Sequence, residues 1–210
     1  QDINSDFILD TLLASQAWNL VVLQIHADFI TVDEVTAIGN YLAGGGKLII
    51  AYWNLDNDVV LQGLLGVSNT ISFRDPLPVF VWDSLHPSFS NPNTVTGLSV
   101  IGDNAGGDNG DRMEPDATGI ALAGFVATTT TNESAIILAN GGNSLVNGFA
   151  GTDMDLVSFI NLIENQANFL VGNIPTITCP TDIVVDNDTG VCGAIVNFLD
   201  ATANDIEDGP

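Results

Sequence analysis

The stretches "WNLVVLQIHA" (residues 18–27) and "ITVDEVTAIGNYLAGGGKLIIAYW" (residues 30–53) decide the fold class. The first is a near-continuous apolar run, the pattern of a strand covered on both faces of a parallel sheet. In the second, Thr31 and Glu34 have the spacing of a capping box, and Val35, Ile38 and Leu42 recur at helical spacing. Gly44 to Gly46 stop that helix, and "KLIIAYW" opens a second buried strand. Strand, helix and strand in this order predict a parallel βαβ unit and an α/β class.

Further along, "NDVVLQGLLG" (57–66) reads as a short helix. "SNTISF", "GLSVIG", "GIALAGFVATT" and "ESAIILAN" read as later strands. In "TDMDLVSFINLIENQANFLVG" (152–172), Thr152 stands as the cap of a last long helix over 153–170. Leu156, Phe159, Ile160, Ile163, Ala167 and Leu170 form its predicted apolar stripe.

Composition bounds the partners. Three Lys+Arg against 26 Asp+Glu give a formal net charge of −23 and a pI near 4.1, a surface that repels nucleic acid and anionic lipid. An apolar content of 46% fills a core for one ordinary domain and a smaller piece. No uninterrupted apolar run of about 18 residues exists, so no membrane-spanning helix is expected. Lys47, Arg74 and Arg112 are the only basic side chains, which leaves few sites for trypsin-like proteases and suits an extracellular or cell-surface location. A high-salt habitat selects the same acidic surface. The chain opens at Gln1 without the pattern of a signal peptide, so any such segment is expected to have been removed or to lie outside this stretch.

The order "WNLVVLQ", capped helix, "YLAGGGKLIIAYW", "LHPSF" and "NSLVNGFAGTDMDLVSFINLIENQANFLVG" resembles the class I glutamine-amidotransferase-like fold. The resemblance implies an α/β, flavodoxin-like three-layer sandwich with a mostly parallel sheet over residues 1–171. That family opens with a further strand ahead of the helix placed near Ser5 to Ser15, and this sequence does not show one. Catalytic members carry a cysteine at a sharp turn after a central strand, where a helix N-terminus lowers its pKa. The matching place, "AYWNLDND" (51–58), holds neither Cys nor Ser, and no G-x-S-x-G elbow occurs elsewhere. His26, at the end of the first strand, is the one candidate ligand residue, set against a plain strand-end histidine. His86, with Asp83 nearby, reads as a turn residue.

After the Gly/Pro-punctuated linker 172–176, "ITCP" (177–180), "DIVVD", "GVCGAIVNF" and "DATAND" resemble the start of a hyalin repeat, an immunoglobulin-like β-sandwich module of extracellular adhesive proteins. The resemblance implies that residues 177–210 are the N-terminal part of such a module. It also implies that Cys179 and Cys192 lie on adjacent strands and pair, worth about 3 kcal/mol on the loop-entropy model; the alternative is two free buried thiols. A disulfide implies an oxidising compartment.

"DIEDG" (205–209) resembles an Asp-x-x-Asp-Gly calcium turn between sandwich domains and makes Asp205 and Asp208 candidate ligands. In "GDNAGGDNGDRMEPD" (102–116), Asp103, Asp108, Asp111 and Asp116 stand on a Gly-rich stretch that could curl around a hard cation, set against a merely solvated acidic loop. "DTL" (10–12) and "DSL" (83–85) resemble the Asp-Ser/Thr-apolar acceptor of bacterial O-glycosylation and make Thr11 and Ser84 candidate sites. Together these readings predict a non-catalytic extracellular module of a large adhesin or surface filament. Its expected partners are further domains of the same chain, surface glycans or other cell-surface proteins. The alternative is a carbohydrate-processing or amidotransferase-like hydrolase with a degenerate site.

Overall fold

The computed structural model describes residues 8–25, 29–73, 75, 77–102, 109–172, 176–178, 180, 182–187, 189–194, 196–197 and 202–204. The chain divides into two compact units, Gln1–Val171 and Gly172–Pro210.

The first unit is built on the βαβ element that the sequence predicts. β1 (Val21–Ile25) and β2 (Leu48–Tyr52) pair in parallel, with Val21 opposite Leu48 and Ile25 opposite Tyr52. Between them runs α2 (Val32–Ala43), preceded by α1 (Ile8–Ser15). The capping box at α2 is present: Glu34 N–H donates to Thr31 Oγ1, and Thr31 N–H donates to the Glu34 carboxylate at 2.8 Å. β2 is buried along its whole length, as a strand packed on both faces must be.

Beyond β2 the chain departs from the expectation of a mostly parallel sheet. α3 (Val59–Leu64), β3 (Val67–Phe73), β4 (Val79–Val81), α4 (Pro87–Ser90), β5 (Gly97–Leu98), β6 (Gly110–Pro115), β7 (Ile120–Gly124), β8 (Ser134–Ala139), β9 (Ser144–Asn147) and α5 (Leu156–Val171) follow. The nine strands form one mixed sheet with the path β1-β2-β9-β8-β7-β4-β5, and β3 joins through β6, which pairs with β8. Among the described pairings only β1–β2 and β2–β9 are parallel. The reason is connection length: β8 reaches β9 through one short turn, Asn140–Gly142, whereas parallel neighbours need a crossover of a dozen residues or more.

Residues on alternate sides of the strands build two cores. Leu48, Ile50, Tyr52 and Val146 pack with Val35 and Ile38 of α2, Leu61 of α3 and Leu65 just after it, and Val67 and Met113 of the β3–β6 ribbon join them. Ile49, Ala51 and Leu145 face the other way, onto Phe159, Leu162 and Leu170 of α5 and Phe89 of α4. Helices therefore cover both faces.

α5 begins later than predicted. Its first turn is capped by Asp155, whose Oδ1 accepts Ser158 N–H at 2.9 Å, while Thr152 sits in the preceding 3₁₀ turn Gly151–Asp153. The predicted stripe is also rotated: Leu156 and Ile160 are exposed, and the buried face is Phe159, Leu162, Asn165, Gln166 and Leu170. Two buried amides take positions that an apolar periodicity search skips.

In the second unit, β10 (Thr176–Thr178) pairs antiparallel with β11 (Thr202–Asn204). The strands expected through "DIVVD" and around Cys192 are not formed among the described residues 182–187 and 189–194. Ile183, Val184, Val185 and Val191 are exposed there, and an extended segment whose apolar side chains stay exposed gains little from pairing. Cys192 is exposed and no disulfide is seen among the described residues; Cys179 lies outside them.

Candidate functional site

Because β1, β2 and β9 are parallel, Ile25, Tyr52 and Asn147 end at one edge of the sheet. In open α/β sheets ligands bind outside the carboxyl ends of the strands, and the turn after β2 occupies the centre of that edge. Tyr52 is almost wholly buried. Burial raises its phenol pKa, the charges of Asp58 and Asp111 add to the rise, and hydrogen bonds with the Ile30 backbone and the Asn54 side chain act in the opposite direction.

Several polar groups of the turn bond one another. Asn57 Nδ2 donates to Asn54 Oδ1 at 2.6 Å and to Asp56 Oδ1 at 2.8 Å. Asp58 Oδ1 accepts Leu61 N–H at 2.9 Å and so caps α3. Gln62 Nε2 donates to the Leu55 carbonyl at 2.9 Å, tying the helix back to the turn. Gly66, at the exit of α3, has φ +72°, which favours glycine, and a Cβ there would meet the Ala139 side chain.

Asp111 is the one predicted calcium ligand of the Gly-rich stretch, apart from Asp116, that lies among the described residues. It is not on a loop. "GDRMEP" is strand β6, with Asp111 and Met113 buried, and Asp111 Oδ2 accepts Asp56 N–H at 2.8 Å. Asp116 ends that strand in a tight turn, where Thr118 and Gly119 donate to its Oδ1 and hold its carboxyl below the usual range. Sequence reading missed β6 because the six-residue alternation follows directly on an acidic Gly-rich run. Its detectable feature is the period-two placement of Asp111 and Met113 against Arg112 and Glu114. Arg112 bonds Glu133 at 3.2 Å.

Asp103, Asp108, Asp205, Asp208 and His26 lie outside the described residues, and among the described residues no group of three or more His, Cys, Asp or Glu side chains is arranged to hold a metal ion. Thr11 is exposed on α1, and Ser84 is exposed in the turn after β4. No helix of the described residues is long and apolar enough to cross a membrane.

His86 has a structural role where it stands. Its Nδ1 accepts Ser88 N–H at 3.2 Å and caps α4, and its ring lies 4.7 Å from that of Phe169. Burial lowers its pKa, with Asp83 acting weakly in the other direction. Acyl transfer needs a nucleophile beside a base and oxyanion donors. Residues 52–58 offer no Cys, Ser or Thr, and Thr31, on the neighbouring β1–α2 connection, is committed to its capping box.

No protein-family model matches this sequence, and no curated protein matches it. Solved structures do. The fold is similar to that of a protein assigned as a GMP synthase component from Thermoplasma acidophilum, with TM-score 0.52 and 10% identity over 79% of this chain and 78% of that one. It is similar to part of α-L-fucosidase isoenzyme 2 from Paenibacillus thiaminolyticus, with TM-score 0.52 and 11% identity over 77% of this chain and 26% of that one. A protein assigned as ThuA-like from Bacteroides uniformis aligns with TM-score 0.47 and 12% identity over 73% of this chain and 69% of that one. At such identities the likeness is one of fold alone.

Proposed function

We propose that this chain is a non-catalytic module of a large secreted or cell-surface multidomain protein, acting in adhesion or scaffolding. The observation that carries the reading is the end of β2. Where a catalytic relative of this fold places its nucleophile, the matching residues 51–58 of this chain hold neither Cys nor Ser, and Asn57, Asp56 and Asp58 bond within the turn or cap α3. Fold alone does not confer an activity, so the chemistry of the turn decides.

The acidic surface, the scarcity of basic cleavage sites and the cysteine pair near the C-terminal end support an extracellular setting. In this reading the second unit belongs to a hyalin-repeat module, and calcium at Asp205 and Asp208 stiffens a joint between such modules. Treatment of intact host cells with a broad-specificity protease, followed by immunoblotting for this domain, tests the location. Loss of the band without lysis is expected; a band lost only after lysis contradicts the proposal.

A further inference from the structure

The sheet edge described above carries an apolar patch that the turn chemistry does not use. Phe29 and Val32 stand at the entry of α2 with 70% and 82% of their surfaces exposed, and Val59 and Val60 open α3 with 76% and 66% exposed. These two helix starts are neighbours, because β1 and β2 are adjacent and parallel and both connections leave from the same edge. Tyr52, at the end of β2, is hydrogen-bonded to the backbone of Ile30, between Phe29 and Val32, which ties the two connections together. These four exposed apolar side chains, carried on two adjacent connections at one edge, are the ones a partner docking there would cover.

Charge selects the occupant. Asp33 and Glu34 flank the patch on α2, and Asp56 and Asp58 flank it on the β2 side. No basic side chain among the described residues offsets them: Lys47 precedes β2 at the opposite edge, and Arg112 is bonded to Glu133. We infer that this edge docks a cationic polypeptide segment that also presents apolar side chains. A second copy of the chain is disfavoured, since a two-fold contact would set these carboxylates against themselves on a molecule of net charge −23. An anionic lipid surface is repelled for the same reason.

The inference rests on reading this edge as a surface without chemistry, and the test keeps the two apart. The full chain, with valine methyl groups labelled, is titrated at physiological ionic strength with an amphipathic Leu/Lys peptide of about 20 residues, long enough to form a helix. A Ser/Lys peptide of the same length and charge serves as control. The Leu/Lys peptide is expected to shift the Val32, Val59 and Val60 methyl resonances, and the doubly substituted Val59→Ser, Val60→Ser protein is expected to bind it about tenfold more weakly. The exposed positions of these two valines make the double variant compatible with the fold. Equal binding of the two peptides, unmoved methyl resonances, or unchanged affinity in the double variant would each overturn the inference. Cleaved peptide in the mass spectrum would instead sink the non-catalytic reading.

Discussion

Asn147 and Gln166 exchange two hydrogen bonds through their side-chain amides, at 3.0 and 2.8 Å, with neither residue exposed to solvent. The pair joins the end of β9 to the middle of α5, directly behind the candidate edge. A satisfied amide pair is close to neutral for stability, whereas a widowed buried amide loses the compensation for its desolvation.

Gln166→Leu or Asn147→Leu alone is therefore expected to cost about 1–3 kcal/mol in urea unfolding, through the amide each leaves behind. The double Leu variant should lose less than the sum of the two. Strict additivity across the cycle would show that the pair is not coupled.

Gly66→Ala is expected to lower the unfolding midpoint by more than the roughly 1 kcal/mol typical of an unsuitable left-handed position, because the Ala139 side chain obstructs the added methyl as well. Gly63→Ala, where a Cβ meets nothing within 4 Å, is the matched control and should be neutral or stabilising. Equal effects at the two glycines would contradict the packing described.

His86 sets a pH dependence with a defined sign. Its folded-state pKa lies below the ordinary value of 6.5, so the unfolded chain binds the proton more readily. The contribution is complete above about 6.5 and is lost as pH falls through the interval down to the folded value. Thermal midpoints should fall between about pH 7.5 and 5, and His86→Asn, which keeps a capping acceptor but no titration, should flatten that slope. Asp116 and Asp155, both held below 3.8, act only in a more acidic window. A slope unchanged in His86→Asn would remove His86 from the account.

The cysteine pairing is open to a direct count. Unfolded, unreduced protein should show no titratable thiol if Cys179 and Cys192 are joined. Two reactive thiols would contradict the pairing and weaken the extracellular assignment with it.

The βαβ start was legible because its cues are local: Thr31 with Glu34, the Val35–Ile38–Leu42 periodicity, and the apolar β2. The antiparallel half was not, because strand direction depends on how short the Asn140–Gly142 turn is, and apolar runs such as "ESAIILAN" look alike in either direction. The rotated stripe of α5 has the same origin. Asn165 and Gln166 are buried only because Asn93 and Asn147, remote in sequence, supply their partners. At the edge of the sheet the lack of Cys and Ser over residues 51–58 is plain in the sequence, but the burial of Asp111 is not, since it accepts from the Asp56 amide 55 residues away.

A turn after β2 without catalytic chemistry should leave the chain inert in steady-state turnover assays. L-glutamine, an aryl ester and an aryl α-L-fucoside are incubated with the purified chain and with Asp111→Asn and His26→Ala. Rates equal to the uncatalysed background are expected for all three proteins. Saturable turnover by the parent chain that is abolished by either substitution, with the fold intact, would contradict that expectation.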